Sequence, residues 1–426
     1  MERTIKWGVA LCAAGAWIAV HAMAQTELAP AAPAGFDQDL CAAVAEGTQL
    51  LIENHLVPAN GEAKAALLEA LIRASEPSVV FLDEDELAAR SQRLSDREWD
   101  AGLTLVAVAD GLPKVAAVRA DSPAAAAGIL PGEQIEQIGD RPVLTGAALK
   151  YVRGLLAEGE AAALEIGVRG ADAKSRTVAV ERVRRADTSL TDVEDLPAGM
   201  GYMRAAGIFI GAGAEIAAAL EKWQAAGKSG AILDLRGADG TAEREIPAVA
   251  ARFVPEGQWL YAMNDRQGNE IVSVKAGAPP AAALPLMVLV DEETSGAAEL
   301  LAAVLGGGVK GAMIIGRETS GDPMIREPKK LSTGRYALLA TRQLKTPDGA
   351  AYSGANGVPP DVAITESALD ETVYEPEAPV LRKGKTMTDE EKEDKALRDR
   401  TRNDTYLRRA TDVLLGLKAL GYGARH

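Results

Sequence analysis

Residues 290–300 read Val-Asp-Glu-Glu-Thr-Ser-Gly-Ala-Ala-Glu-Leu, between the apolar run LPLMVLV (284–290) and the Ala/Leu-rich run AAELLAAVL (297–305). A short apolar run ending in turn residues reads as a buried strand, and the longer Ala/Leu run reads as a helix. The junction is a strand–turn–helix unit that presents a side chain at a helix N-terminus, and Ser295 stands there. SGAILDLRGADG (229–240) and KGAMIIGRETSG (310–321) repeat the pattern of an apolar strand ending in a glycine turn. Strands and helices alternating in this way predict an α/β layer with a largely parallel sheet. Ligand sites in such sheets lie beyond the carboxyl ends of the strands. The turns at 234–241, 291–299 and 316–322 are therefore expected to converge.

Upstream, residues 98–184 change character. LTLVAVA, KVAAVRA, EQIEQIGD, LEIGVRG and RTVAVERV alternate with Gly, Pro and Asp turns around one helical stretch, GAALKYVRGLLAEG. DSPAAAAGILPGEQIEQIGDRPV (121–143) packs a helical turn, a glycine exit, a Pro-Gly turn and a strand into a short span, and it resembles a PDZ domain. PDZ domains bind extended chain ends by strand addition, with backbone N–H groups receiving the terminal carboxylate. The resemblance places that carboxylate loop at Gly102-Leu103-Thr104-Leu105. The alternative is a small β-barrel that only packs on its neighbour.

The order of parts resembles the C-terminal processing peptidases, or tail-specific proteases. It comprises a helical lead-in, an inserted PDZ domain, ILDLRGADG, VDEETSGAAEL and a closing GVPPDV. The resemblance implies a ClpP/crotonase-like α/β core and a serine nucleophile activated by a lysine held neutral by burial. It also implies backbone donors for the oxyanion at a Gly-rich turn. Active members read Val-Asn-x-x-Ser-Ala-Ser-Ala-Ser-Glu at the nucleophile, Gly-Glu-x-Thr-x-Gly-Lys-Gly at the base and Asp-Leu-Arg-Asn-x-x-Gly-Gly at the earlier turn. Here the attacking serine falls on Gly296, the lysine on Asp322 and the last glycine on Thr241, while Glu299 keeps its place. The family dyad is lost.

Ser295 is one residue out of register, which turns a helical side chain by about 100°. Misplacement by about 1 Å costs on the order of a hundredfold in rate. Aspartate is shorter than lysine and a weak base toward a hydroxyl. Ser295 thus reads first as a helix cap and second as a nucleophile with an unidentified base. Asp322 reads as a Gly-Asp-Pro turn residue, and Glu299 as a first-turn acid or a family remnant. Lys310, Lys329 and Lys330 are near in sequence but off the family position.

The rest of the chain sets bounds. The formal net charge of −15 over 426 residues argues against phosphate-backbone binding, so no nucleic acid is expected. The acidic LDEDEL (82–87) reads as a solvated helix start. No cofactor motif appears. Three histidines, at 21, 55 and 426, leave histidine chemistry and histidine metal sites without an inventory. Residues 1–24 read as a signal peptide, with Arg3 and Lys6, an apolar core and Ala22-Met23-Ala24 before Gln25; an uncleaved anchor is the alternative. Cys12 lacks a lipidation context, and Cys41 sits in a helical pattern as a small core residue.

The expected layout is a leader and helical region at 25–97, the PDZ domain at 98–184 and the protease-like core at 185–370. A charged flexible linker at 371–403 and a C-terminal helix at 404–426 complete it. The functional expectation is an exported, periplasmic or otherwise extracytoplasmic pseudoenzyme whose PDZ domain binds unstructured protein C-termini or a partner protein. The rivals are an active serine endopeptidase using Ser295 and a regulatory subunit of an active paralogue.

Overall fold

The strands Gly230–Asp234 and Leu286–Val290 are buried at every position, as the middle of a sheet covered on both faces requires. The computed structural model describes residues 38–54, 61–93, 99–108, 111–157, 163–184, 188–277, 284–306, 309–347, 356–365 and 387–422. The signal-peptide reading, the leader and residues 371–386 lie outside them. The chain divides into two units, residues 1–77 and 78–426. The first contains the helices α1 (Gln38–Glu53) and α2 (Gly61–Ser75). Among the described residues, no helix is long and apolar enough to cross a membrane.

The second unit opens with strand β1 (Val80–Leu82) and helix α3 (Glu84–Arg93), whose first turn carries Glu84, Asp85 and Glu86. The β1 strand was not anticipated in a helical lead-in. The inserted domain begins and ends on one short ladder, β2 (Trp99–Asp100) against β9 (Val183–Arg184). Between them lie β3 (Leu103–Val106), β4 (Lys114–Val118), β5 (Gln134–Ile138), β6 (Arg141–Pro142), β7 (Ala163–Arg169) and β8 (Ser175–Glu181). The sheet order is β3-β4-β5-β7-β8, so β3 is an edge. Helix α4 (Pro123–Ala126) is capped by Ser122, whose Oγ accepts from the Ala125 N–H. Helix α5 (Leu149–Ala157) buries Leu149, Val152, Leu155 and Leu156 against Val115, Ile135 and Ile166.

The main sheet has the order β10-β11-β13-β17-β18-β21. Its members are β10 (Leu190–Leu196), β11 (Met200–Ala205), β13 (Gly230–Asp234), β17 (Leu286–Val290), β18 (Ala312–Gly316) and β21 (Val362–Ala363). All neighbours are parallel except β10 with β11. Alternate residues serve opposite faces. Leu233, Val288 and Val290 join the core under helices α6 (Ala212–Ala225), α7 (Ile246–Ala250) and α8 (Gly296–Leu305). Ile232, Met287 and Leu289 meet Leu397, Leu407, Ala410 and Leu414 of the C-terminal helices. A small parallel pair, β12 (Gly207–Ile208) with β14 (Asp239–Gly240), extends the strand-end turn after β13.

Two findings depart from the sequence reading. An antiparallel sheet, β1-β20-β15-β16 with β19 on β20, packs on the same core. It uses β15 (Trp259–Asp265), β16 (Glu270–Lys275), β19 (Met324–Lys330) and β20 (Tyr336–Lys345). The expected flexible linker at 371–403 is instead helical over α9 (Asp389–Thr401). Thr388 and Glu391 form a capping box, three acids occupy the first turn, and Arg398 and Arg400 the last. Lys395–Asp399 and Asp394–Arg398 pair at i,i+4, and Arg400 reaches Glu194 at 2.5 Å. Helix α10 (Thr405–Ala419) follows.

Candidate functional site

The three expected turns meet at the carboxyl ends of β13, β17 and β18. The Ser295 N–H donates to Ala238 O at 2.9 Å, and the Ser320 N–H donates to Thr294 O at 3.1 Å. Asp291 binds them from within, since its Oδ1 accepts from the Gly237 N–H at 2.8 Å and the Glu293 N–H at 3.2 Å. Thr294, fully buried, bridges Leu235 O and Asp291 Oδ1 through its Oγ1.

Ser295 occupies the N-cap position of α8 with an extended backbone, but its side chain makes no capping hydrogen bond. Its backbone holds the turn instead, and the expected hydroxyl cap is absent. Gly296 opens the helix at φ +57, and a Cβ there would stand 2.5 Å from Gly240 O. This position is thus closed to a side chain by its own backbone and by the neighbouring turn. Asp322 is engaged: Arg326 Nη1 donates to its Oδ2 at 2.6 Å, and the Met324 N–H donates to its Oδ1 at 3.2 Å.

The lysines stay away. Lys329 pairs with Glu327, Lys330 lies 3.9 Å from Glu84, and Lys310 is exposed ahead of β18, at the opposite end from the turns. Among the described residues, no cluster of three His, Cys, Asp or Glu side chains is placed to hold a metal ion.

Glu299 is fully buried and organises the third turn. It accepts from the Thr319 hydroxyl, from Ser320 Oγ at 2.9 Å, from the Gly321 N–H at 2.6 Å and from the Asp322 N–H at 3.3 Å. Burial pushes its carboxyl up from the ordinary value, against the pull of these donors. A carboxyl raised in the fold contributes stability that is fully present below its unfolded value, 4.5, and is lost as pH rises through the folded value. Glu299→Gln should remove that slope. It also turns an amide NH2 toward donors, costing about 1–3 kcal/mol at pH 4.5. Urea midpoints against pH should show the gap between native and variant narrowing as pH rises; parallel curves would contradict this role.

Sequence reasoning missed a second buried cluster beneath the first turn. Arg236 donates from Nε to Asp234 Oδ1 at 2.9 Å and bidentately to Asp404 at 2.9 and 2.8 Å. Tyr202 Oη and Arg204 Nη1 each donate to Asp234 Oδ2 at 2.8 Å. Burial alone would raise the Asp234 carboxyl, but the Arg204 and Arg236 guanidiniums hold it well below the usual carboxylate range. Asp404 also caps α10, and the Tyr406 ring lies under Arg236.

In the PDZ domain, Leu103, Thr104 and Leu105 lie on the edge strand β3, the position strand addition needs. Gly102 is a correction. Its N–H already donates to Asp100 Oδ1 at 2.8 Å, and Arg119 holds Asp100 at 2.5 Å, so in this structure that donor is taken by an internal carboxylate. A cleft of about 370 Å³ connects the domain to the core, lined by Leu105, Val106 and Leu149 on one side and Asp291, Glu293 and Tyr406 on the other.

Residues 199–364 match Peptidase family S41, and residues 114–169 match a PDZ domain. A carboxyl-terminal-processing protease of Synechocystis sp. is 28% identical over 239 residues, 55% of each chain. Carboxyl-terminal-processing peptidase 2 of Arabidopsis thaliana is 27% identical over 280 residues, 63% of this chain and 50% of its own. The chain thus spans about half the length of these two relatives. Among solved structures, a photosystem II D1 C-terminal processing protease is 26% identical, with a TM-score of 0.47 over 73% of this chain and 84% of its own. The S41 match spans the turns that hold Gly240, Gly296, Glu299 and Asp322, and the PDZ match falls in the domain inserted ahead of them. By that arrangement residues 199–364 belong to Peptidase family S41 and carry a PDZ domain ahead of them, in a chain similar to the carboxyl-terminal-processing proteases.

Proposed function

We propose that this chain is an exported, catalytically silent member of the family that binds protein C-termini through its PDZ domain. The observation that carries the reading is the fate of the dyad positions. Gly296 has no room for a Cβ against Gly240 O, and Asp322 is tied to Arg326. On the nucleophile turn the Thr294 hydroxyl is tied to Leu235 O and Asp291, and the Ser295 side chain makes no capping hydrogen bond. A serine without a base or a shifted pKa is a weak nucleophile. The edge position of β3 in its sheet and the cleft beside Leu105 support the binding half.

The test pairs two measurements on the chain beginning at Gln25. A peptide with a free apolar C-terminus should bind saturably, and amidation should weaken it by at least about tenfold, the value of one charge-assisted contact. No saturable binding, or equal affinity after amidation, would sink the binding half. An unfolded protein substrate should survive incubation with the native chain; cleavage that disappears in Ser295→Ala would establish a working enzyme instead.

A further inference from the structure

Arg153 of the PDZ helix α5 reaches out of its own domain. Its Nη1 donates to Glu293 Oε2 at 2.7 Å, and its Nη2 lies 3.8 Å from Asp291 Oδ2. The Lys150 backbone N–H, one turn earlier, donates to the other oxygen of Glu293 at 2.6 Å. One carboxylate, two residues before Ser295, therefore takes a backbone donor and a guanidinium from the same helix. The pair is largely buried, with side-chain exposures of 24% and 15%, so solvent screens it less than a surface ion pair.

The guanidinium stands against the first strand-end turn. At Gly237, which has φ +64, a Cβ would fall inside the Arg153 side chain. The family pattern carries asparagine at this position. In this chain glycine removes the side chain, and Arg153 fills the room. Asp291 completes the arrangement, because the carboxylate facing Arg153 also receives the Gly237 N–H.

We propose that the altered turns have become a socket for the PDZ domain: Arg153, seated over Gly237 between Asp291 and Glu293, docks that domain on the core in one fixed pose. The inference rests on the reading of a site without a dyad. Its test reads docking rather than cleavage or peptide capture, so the two can fail separately.

Hydrogen exchange would be followed on the whole chain as native protein, as Arg153→Ala and as Gly237→Asn, which refills the space that Arg153 occupies. In both variants the amides of Lys150, Gly237 and Glu293 should exchange at least about tenfold faster. Val115 and Ile135 in the PDZ core should keep their protection. Unchanged protection at those three amides overturns the proposal. If Arg153→Ala also exposes Val115 and Ile135, Gly237→Asn decides, because it leaves every PDZ residue in place. Small-angle scattering gives an independent reading: both variants should show a larger radius of gyration, and profiles superposing on the native one would also overturn the socket.

Discussion

Asp404→Ala should destabilise the second unit by about 3–5 kcal/mol, the cost of breaking a buried ion pair from one side. Arg236 is 3% exposed and Asp404 1%, and their bidentate contact is made away from water. Without Asp404, Arg236 keeps Asp234, but that carboxylate also serves Arg204 and Tyr202. Part of the loss is the helix cap, because Asp404 Oδ1 accepts the Leu407 N–H at 3.1 Å. Asp404→Asn preserves a capping side chain and should recover about 1 kcal/mol of it. Urea unfolding at neutral pH measures both. A loss under about 1 kcal/mol for the alanine variant would mean that water or another carboxylate reaches Arg236.

Placing serine at 296 and lysine at 322, as the family resemblance would have them, should not yield a peptidase. Gly296→Ser places a side chain on a left-handed backbone, against a carbonyl 2.5 Å from where its Cβ must stand. Left-handed strain of about 1–2 kcal/mol and overpacking of about 1–3 kcal/mol predict a loss of about 2–5 kcal/mol. Adding Asp322→Lys removes the partner of Arg326 and sets a second cation beside it. The double variant is expected to be less stable and to leave an unfolded substrate intact. Cleavage by the double variant would show that the Gly240 turn yields readily, leaving the two missing side chains as the whole difference from an active peptidase.

The parallel core was legible because β13 and β17 are unbroken apolar runs that end in glycine turns, a pattern few other structures satisfy. The convergence of the three turns followed from that topology alone. Asp291 and Thr294 were not legible as the fasteners of the turns, since in sequence they look like ordinary turn formers. Nothing in the sequence singled out Arg153 within its helical stretch, and only packing shows that it meets Glu293. The stretch 386–404 was misread because mixed charge with little apolar periodicity is also the signature of a linker. Its helix depends on a capping box, charge pairs and contacts with a distant strand, of which only the first two are local. Ser295 was placed correctly at the helix start, but whether a cap residue's hydroxyl turns inward depends on neighbours supplied by other segments.

The Arg236–Asp404 contact joins residues 168 positions apart. On a ribosome adding about 5–20 residues per second, Arg236 is made roughly 10–30 s before its carboxylate partner exists. During that interval the first strand-end turn carries a guanidinium that its own half of the chain cannot fully neutralise. The charge pairing beneath that turn is thus completed only after the last helix has been synthesised, so the C-terminal helix closes the core from outside the family-matched stretch.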